Sequence, residues 1–408
     1  MSKRIKKVGI IGAGLSGLAC ALELKKCGHE VQVFEQSDSV GGRVKTDHQG
    51  GFTFDHGFQI YLTGYEKGQY YLDYKKLGLG TFSPGALIWN NSSFKLFSDP
   101  LRRPKHFFTV MLSPLANFRD KLLILKLKSV ASQIDEEFEA SKMTTLEYLK
   151  SFGFSYQIID SFFKPFFAGV FLDTALDVDS NYFLYLFHKF STSSATLPKF
   201  GIQAIAKQMA DQLGAEKITL NTKITSVSGC ELTINDKQHS FDHLVIATSK
   251  HEANVLRGIK EEVPYYVVTT HYYKTTSKEY AKRYLYLNSE EHCVVNHVAC
   301  LSKAQKSYAP KGEHLYSVNV LNSPSDVENE DQVVRDDLVK MFGADEIEMW
   351  HWMRSYSVKH ALNKDVSFGS KANKLEISLC GDYLESASIQ GALTSGFKTA
   401  HNINLEEK

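Results

Sequence analysis

Long apolar runs, paired cysteines and excess charge are all missing from this chain, and each absence removes a class of protein. No segment reaches eighteen uninterrupted apolar residues, and the run Val8–Ile11 is too short for a secretory leader. A membrane-crossing helix is therefore not expected, and a cytoplasmic protein is. The six cysteines (Cys20, Cys27, Cys230, Cys293, Cys300, Cys380) form no C-x-x-C pair and no zinc spacing. They read as buried thiols of a reducing compartment, neither a disulfide framework nor a metal site. A formal net charge of +1 leaves no global field that would draw in nucleic acid. No internal repeat and no low-complexity linker interrupts the chain.

What the chain has in quantity is aromatic side chains, 26 Phe and 20 Tyr among 408 residues. Many of them fall between Phe52 and Phe200, which suits either a large aromatic core or a pocket for a flat or long apolar substrate. The length is enough for two domains' worth of core.

The periodicities predict a strand over Ile5–Ile11, a helix over Leu15–Cys27 stopped by Gly28, and a strand over Glu30–Glu35. Further helices are expected over Leu122–Phe138, within Thr145–Phe200 and over Ile202–Leu213. Strands are expected over Lys217–Val227, Glu231–Ile234 and His243–Thr248, and strand-like runs dominate from Tyr265 to Val320. Lys374–Asp382 reads as a strand meeting a Gly-Asp turn, with a helix from about Ser388 to His401.

The first three elements enclose Gly12-Ala13-Gly14-Leu15-Ser16-Gly17. In such a β-α-β unit Gly12 permits the tight turn off the strand and Gly14 lets a pyrophosphate approach the backbone. Gly17 allows close helix–strand packing, and the helix N-terminus faces the phosphates. Glu35, twenty-three residues after Gly12, ends the second strand and can accept both ribose hydroxyls of an adenosine, which disfavours a 2′-phosphate. A second glycine turn, Gly41-Gly42-Arg43, follows shortly; it is either a surface turn or a backbone wrapped round the dinucleotide, with Arg43 set for a phosphate or the flavin edge. The fold class is thus α/β, with a discontinuous Rossmann-like domain from 1–80, 196–260 and 366–408. A second, mixed α+β substrate domain is expected from 81–195 and 261–365.

The run from Gly12 through Glu35 to Gly41-Gly42-Arg43 resembles the flavin amine oxidase, protoporphyrinogen oxidase and phytoene desaturase superfamily. Its members pair this fingerprint with a Gly-Asp turn near the C-terminus, matched here by Gly381-Asp382. The resemblance covers nearly the whole chain and is specific at its two ends. It implies FAD as cofactor and the GR2-type arrangement of the dinucleotide-binding domain. Gly12, Ala13, Gly14, Leu15, Ser16, Gly17, Glu35, Gln36, Gly41, Gly42 and Arg43 would hold the ADP half. Lys223-Ile224 resembles the strand that meets the adenine, and Ala247-Thr248 resembles the small strand end beside the dinucleotide. Asp382 would meet the phosphate–ribityl chain. The Ile389 and Gln390 backbone would lie near the pyrimidine end of the ring, where a helix dipole stabilises negative charge on reduced flavin. The turn Leu197-Pro198-Lys199-Phe200-Gly201 most resembles the desaturase-like branch.

Other positions depart from the amine oxidase pattern. Ser388 stands where the amine cage places a Tyr, and the lysine that holds a water near the flavin has no counterpart, Lys274 and Lys303 reading as solvated charges. Asn363 replaces a family proline. Hydride transfer to flavin needs orientation and a dry pocket more than acid–base groups, so no catalytic triad is expected. His56 is the titratable candidate, with a structural role bonding backbone as the alternative. Trp350, His351 and Trp352 alternate as on a strand, which would put both Trp on one face, in a pocket or in a buried sheet.

Pro100–Val130 carries Arg102, Arg103, Lys105, Arg119, Lys121, Lys126 and Lys128 interleaved with Phe107, Phe108, Met111, Leu112, Phe118, Leu122 and Leu125. It reads as a solvated basic face or as peripheral contact with anionic lipid. The leading expectation is a FAD-dependent oxidoreductase removing hydride from a small hydrophobic substrate. An amine or porphyrinogen oxidase and a non-catalytic dinucleotide-binding scaffold are the alternatives.

Overall fold

A computed structural model describes residues 4–90, 92–98, 102, 113–135, 138–234, 237–290, 293–321, 330–364 and 377–405. Five parallel strands make one sheet in the order Ile218–Thr219, Glu30–Phe34, Lys7–Ile11, His243–Ile246, Ile377–Leu379. Its strands lie between helices, so they are apolar on both faces, and Val8, Ile10, Val33, Val245 and Ile246 are fully buried. The helices Leu15–Lys26 and Ile389–Leu405 press together on one side. They approach so closely that a Cβ on Gly396 would sit 2.3 Å from the Ser16 carbonyl oxygen.

Seven strands make a second sheet, in the order His351–Asn363, Tyr265–Thr275, His314–Leu321, Val295–Cys300, Leu285–Asn288, Ala86–Asn90, Ser93–Phe97. All neighbours are antiparallel except Leu285–Asn288 with Ala86–Asn90. Beside it the turn Ile159–Phe163 and the helices Lys164–Phe171 and Ser180–Thr192 stack Phe163, Phe167, Phe183 and Phe187 into an aromatic core. Phe167 and Phe183 meet edge to face at 4.7 Å.

One buried carboxylate links the two sides. Asp55 ends the strand Phe52–Asp55; its Oδ1 accepts from Thr46 Oγ1 at 2.6 Å and from the Ile202 amide at 2.9 Å. Its Oδ2 accepts from the Tyr308 hydroxyl at 2.6 Å, and its carbonyl accepts from the Tyr272 hydroxyl at 2.7 Å. Burial pushes this carboxyl above its ordinary range against those hydrogen bonds.

Several boundaries differ from expectation for local reasons. The helix expected from Leu122 begins at Phe118, because Asn117 and Asp120 close a reciprocal capping box, and it ends at Ala131. Ile224 lies in a loop between Ile218–Thr219 and Ser226–Ser228, after Asn221 turns through φ 52°. Trp350 and Trp352 do not share a face. Trp350 precedes the strand, bonds Glu346 through Nε1 and stacks on Tyr316 at 4.1 Å, whereas Trp352 is 54% exposed. Cys20, Cys300 and Cys380 are buried, but Cys27, Cys230 and Cys293 are partly exposed, so only half the thiols match the buried reading. Lys374–Glu376 and Arg103, Lys105, Phe107, Phe108, Met111 and Leu112 lie outside the described residues. Among the described residues no helix is long and apolar enough to cross a membrane.

Candidate functional site

The first strand ends at Gly12, whose φ of +105° and whose contact with the Ala247 carbonyl leave no place for a side chain. The next glycine differs. Gly14 has φ −73° and ψ 175°, open to any residue, and a Cβ there would meet no protein atom within 4 Å. Neither backbone nor packing within the chain requires glycine at 14, and its bare backbone leaves room for close approach by a group from outside the chain. Gly14 is also the N-cap of the helix Leu15–Lys26 and supplies no side-chain cap. The first amides of that helix are thus left for an anion.

The two glycine turns support each other. The Gly41 amide donates to the Ala13 carbonyl at 2.9 Å, and the Ala13 amide donates to Glu35 Oε2 at 2.8 Å. Glu35 Oε1 accepts from the Ser37 amide at 2.9 Å and hydroxyl at 2.5 Å. A carboxylate has about four acceptor sites, so these bonds orient Glu35 without exhausting it. The loop carrying Ile224 is fastened here through the Thr222 amide to the Glu35 carbonyl at 2.8 Å. Arg43 keeps 41% of its side chain accessible at the cavity wall: Nη2 meets Asp382 Oδ1 at 2.5 Å and Nη1 donates to the Ala361 carbonyl at 2.8 Å. Burial lowers the Arg43 pKa, but the Asp382 charge more than offsets it and the net shift is upward. The guanidinium thereby joins the first glycine turns to the Gly381-Asp382 turn.

Both turns open on one cavity of about 930 Å³. Of the residues proposed for the cofactor, Gly12, Gly14, Leu15, Ser16, Glu35, Gln36, Gly41, Gly42, Arg43, Ile224, Ala247, Gly381, Asp382 and Ile389 line it. Ala13, Gly17 and Gln390 stand just behind. Gly17 packs against the Gly12 carbonyl, and the Gln390 side chain accepts from the Lys67 amide at 3.1 Å. Ser388 accepts from the Gly391 amide at 3.0 Å and so caps the last helix. Lys274 pairs with Glu313, and neither it nor Lys303 lines the cavity.

His56 lines the same cavity, stacked on Tyr356 at 4.2 Å with Nε2 3.1 Å from Asp47 Oδ2. Asp47 accepts from the Tyr356 hydroxyl at 2.6 Å and from Arg354 at 3.2 Å. Burial raises the Asp47 pKa, but these bonds and the neighbouring charges hold it below its ordinary value. His56 thus sits at the cavity wall within ion-pair distance of Asp47.

Farther along, the wall changes character to Phe58, Phe82, Phe97, Phe162, Phe166 and Phe190, with the helix Phe118–Ala131 at the rim. Three polar lining residues had no signal in the linear sequence. Tyr182 donates to the Ala387 carbonyl at 3.2 Å, beside Ser388. His297 and Asn319 come from neighbouring strands of the large sheet. Only strand register and helix packing bring them there.

The comparisons agree with this geometry. The sequence profile of the flavin containing amine oxidoreductase family matches residues 15–404. A 4,4′-diapophytoene desaturase of Staphylococcus aureus is 49% identical over 56 residues, a match covering 14% of this chain and 11% of that enzyme. A Methanosarcina mazei oxidoreductase superposes with a TM-score of 0.75 at 17% identity, covering 97% of this chain and all of the other. A putrescine oxidase bound to putrescine gives 0.69 at 16% identity, over 98% of this chain and 99% of its own. The bare backbone at Gly14, the uncapped helix end and the buried acid at 35 suit the ADP half of FAD, the cofactor of this family. The chain belongs to the flavin-containing amine oxidoreductase family, a family of FAD-dependent oxidoreductases.

Proposed function

We propose that this protein removes a hydride from a long or flat hydrophobic substrate, in a desaturation or a related oxidation. The observation that carries this reading is the continuity of the cavity, which runs from the glycine turns to a wall of phenylalanine rings. FAD, when bound, supplies the two-electron acceptor, and dioxygen or another oxidant completes the turnover. The chain's own contribution is orientation and exclusion of water. The rings of Phe58, Phe82 and Phe166 offer apolar faces to a substrate, and the Gly12–Gly17 turn and Asp382 fix where the cofactor ends. His56, at the cavity wall beside Asp47, is the candidate to take the proton that leaves with desaturation. Ser388 in its capping role leaves no aromatic cage at that position, which weighs against the amine oxidase version.

The rim helix suggests how such a substrate arrives. Phe118, Leu122 and Leu125 are exposed and lie at i, i+4 and i+7, with Lys121 and Lys128 beside them on the cavity rim. We read this face as a contact with an anionic lipid surface. The visible spectrum of the purified protein tests the main reading. Flavin bands that bleach anaerobically with a polyene or other long apolar substrate are expected. A protein that refuses FAD, or a flavin reduced only by small amines, defeats it.

A further inference from the structure

The largely apolar far end of the cavity carries a polar row on the large sheet. Thr270, Asn319 and His297 sit directly opposite one another on three adjacent strands of the large sheet, in the register Thr270↔Asn319↔His297. Residues so paired project from the same face. Asn319 and His297 both line the cavity, at 0% and 4% exposure.

Their hydrogen bonds fix what each one lacks. The Phe58 amide donates to Thr270 Oγ1 at 3.2 Å, so the Thr270 hydroxyl proton is free to donate, and it goes to Asn319 Oδ1 at 2.6 Å. That leaves Asn319 Nδ2 as a buried donor with no partner. On the other side, Asn296 Nδ2 donates to the Pro165 carbonyl at 3.2 Å, which turns Asn296 Oδ1 toward His297 Nδ1 at 2.7 Å. The ring proton therefore sits on Nδ1, and His297 Nε2 is a buried acceptor with no partner. Burial holds the imidazole neutral.

A buried donor and a buried acceptor, each fixed by a relay from behind, are a costly arrangement for an empty wall. We propose that Asn319 and His297 together bind a hydroxyl group of the substrate, which accepts from Asn319 Nδ2 and donates to His297 Nε2. On this reading, which rests on the cavity being the substrate site, the substrate is a hydrophobic alcohol and not a pure hydrocarbon. The two residues set which end of it enters first.

The test uses the flavin-loaded protein and displacement of the fluorescent apolar probe N-phenyl-1-naphthylamine by 1-dodecanol and by dodecyl methyl ether. The ether keeps the acceptor and loses the donor. Wild type should prefer the alcohol by about tenfold or more. The preference should collapse in Asn319→Leu and, independently, in His297→Phe, with the flavin spectrum unchanged. Equal affinity of wild type for both ligands overturns the hydroxyl anchor and leaves an apolar substrate cavity standing. Variants that keep the preference but shift or lose the flavin bands assign the row to the cofactor and overturn the proposal. Failure of both ligands to displace the probe overturns the substrate-cavity reading itself.

Discussion

The two ends of the cavity are built on opposite principles. At the nucleotide end the working surface is backbone: Gly14, Gly41 and Gly42, a helix terminus, and one acid held by amide donors. At the far end it is side chain, a set of phenylalanine rings on helices and strands distant in sequence. A backbone surface accepts few residues at each position, because a single Cβ changes its shape. A ring-lined wall needs volume and apolarity, which many residues supply. The first end therefore tolerates few substitutions, and the second can be re-cut without losing the fold.

The sharpest way to break this comparison is at position 14. Gly14→Ala places its Cβ where no protein atom lies within 4 Å, so the chain should fold with unchanged circular dichroism and yet lose FAD affinity by roughly tenfold or more. A Gly14→Ala protein with undiminished FAD affinity would mean that the backbone end is not the cofactor's. At the other end, Phe167→Ala removes a ring that is 1% exposed and should cost about 3–5 kcal/mol in urea unfolding, with the flavin spectrum of the remaining folded protein intact.

Acid should weaken the two ends through different histidines. Burial pushes His297 down to about 3, and burial with the nearby Lys6 charge pushes His243, in the parallel sheet, to about 4. Both are neutral in the fold while the unfolded chain takes up protons near 6.5. Their stabilisation is complete above that value and is lost as pH falls toward the folded values. The urea midpoint should drop steadily between pH 6.5 and 4, and the slope should flatten in His297→Phe. A smaller effect is expected from Phe166→Leu, which should change stability by less than about 1.5 kcal/mol while altering which apolar ligands bind. Smallest is the charge reversal Lys121→Glu with Lys126→Glu, which should reduce co-sedimentation with anionic vesicles several-fold and leave neutral vesicles unaffected. Unchanged pelleting would remove the rim helix from any lipid contact.

The same contrast explains what could be read before the fold was known. Gly12, Gly14, Gly17 and Glu35 are legible because they are close in sequence and each answers a backbone requirement of one β-α-β unit. The start of the rim helix was missed, because the leucines from Leu122 drew the boundary while its signal, Asn117-x-x-Asp120, lies before them. The row Thr270–Asn319–His297 was not legible either, since strand register is set by tertiary pairing and leaves no spacing in the chain. The two tryptophans misled because alternation assumes an unbroken strand, and Trp350 lies before this one begins.

Asp55 carries a consequence for motion. Hydroxyls and an amide from four separate stretches, at Thr46, Ile202, Tyr272 and Tyr308, converge on that residue. Such a rivet denies the two sheets an independent hinge, because opening the cleft by rocking would strand several buried polar groups at once. Any widening of the cavity is then expected at its rim, along the helix Phe118–Ala131, and not by the swing of one sheet against the other.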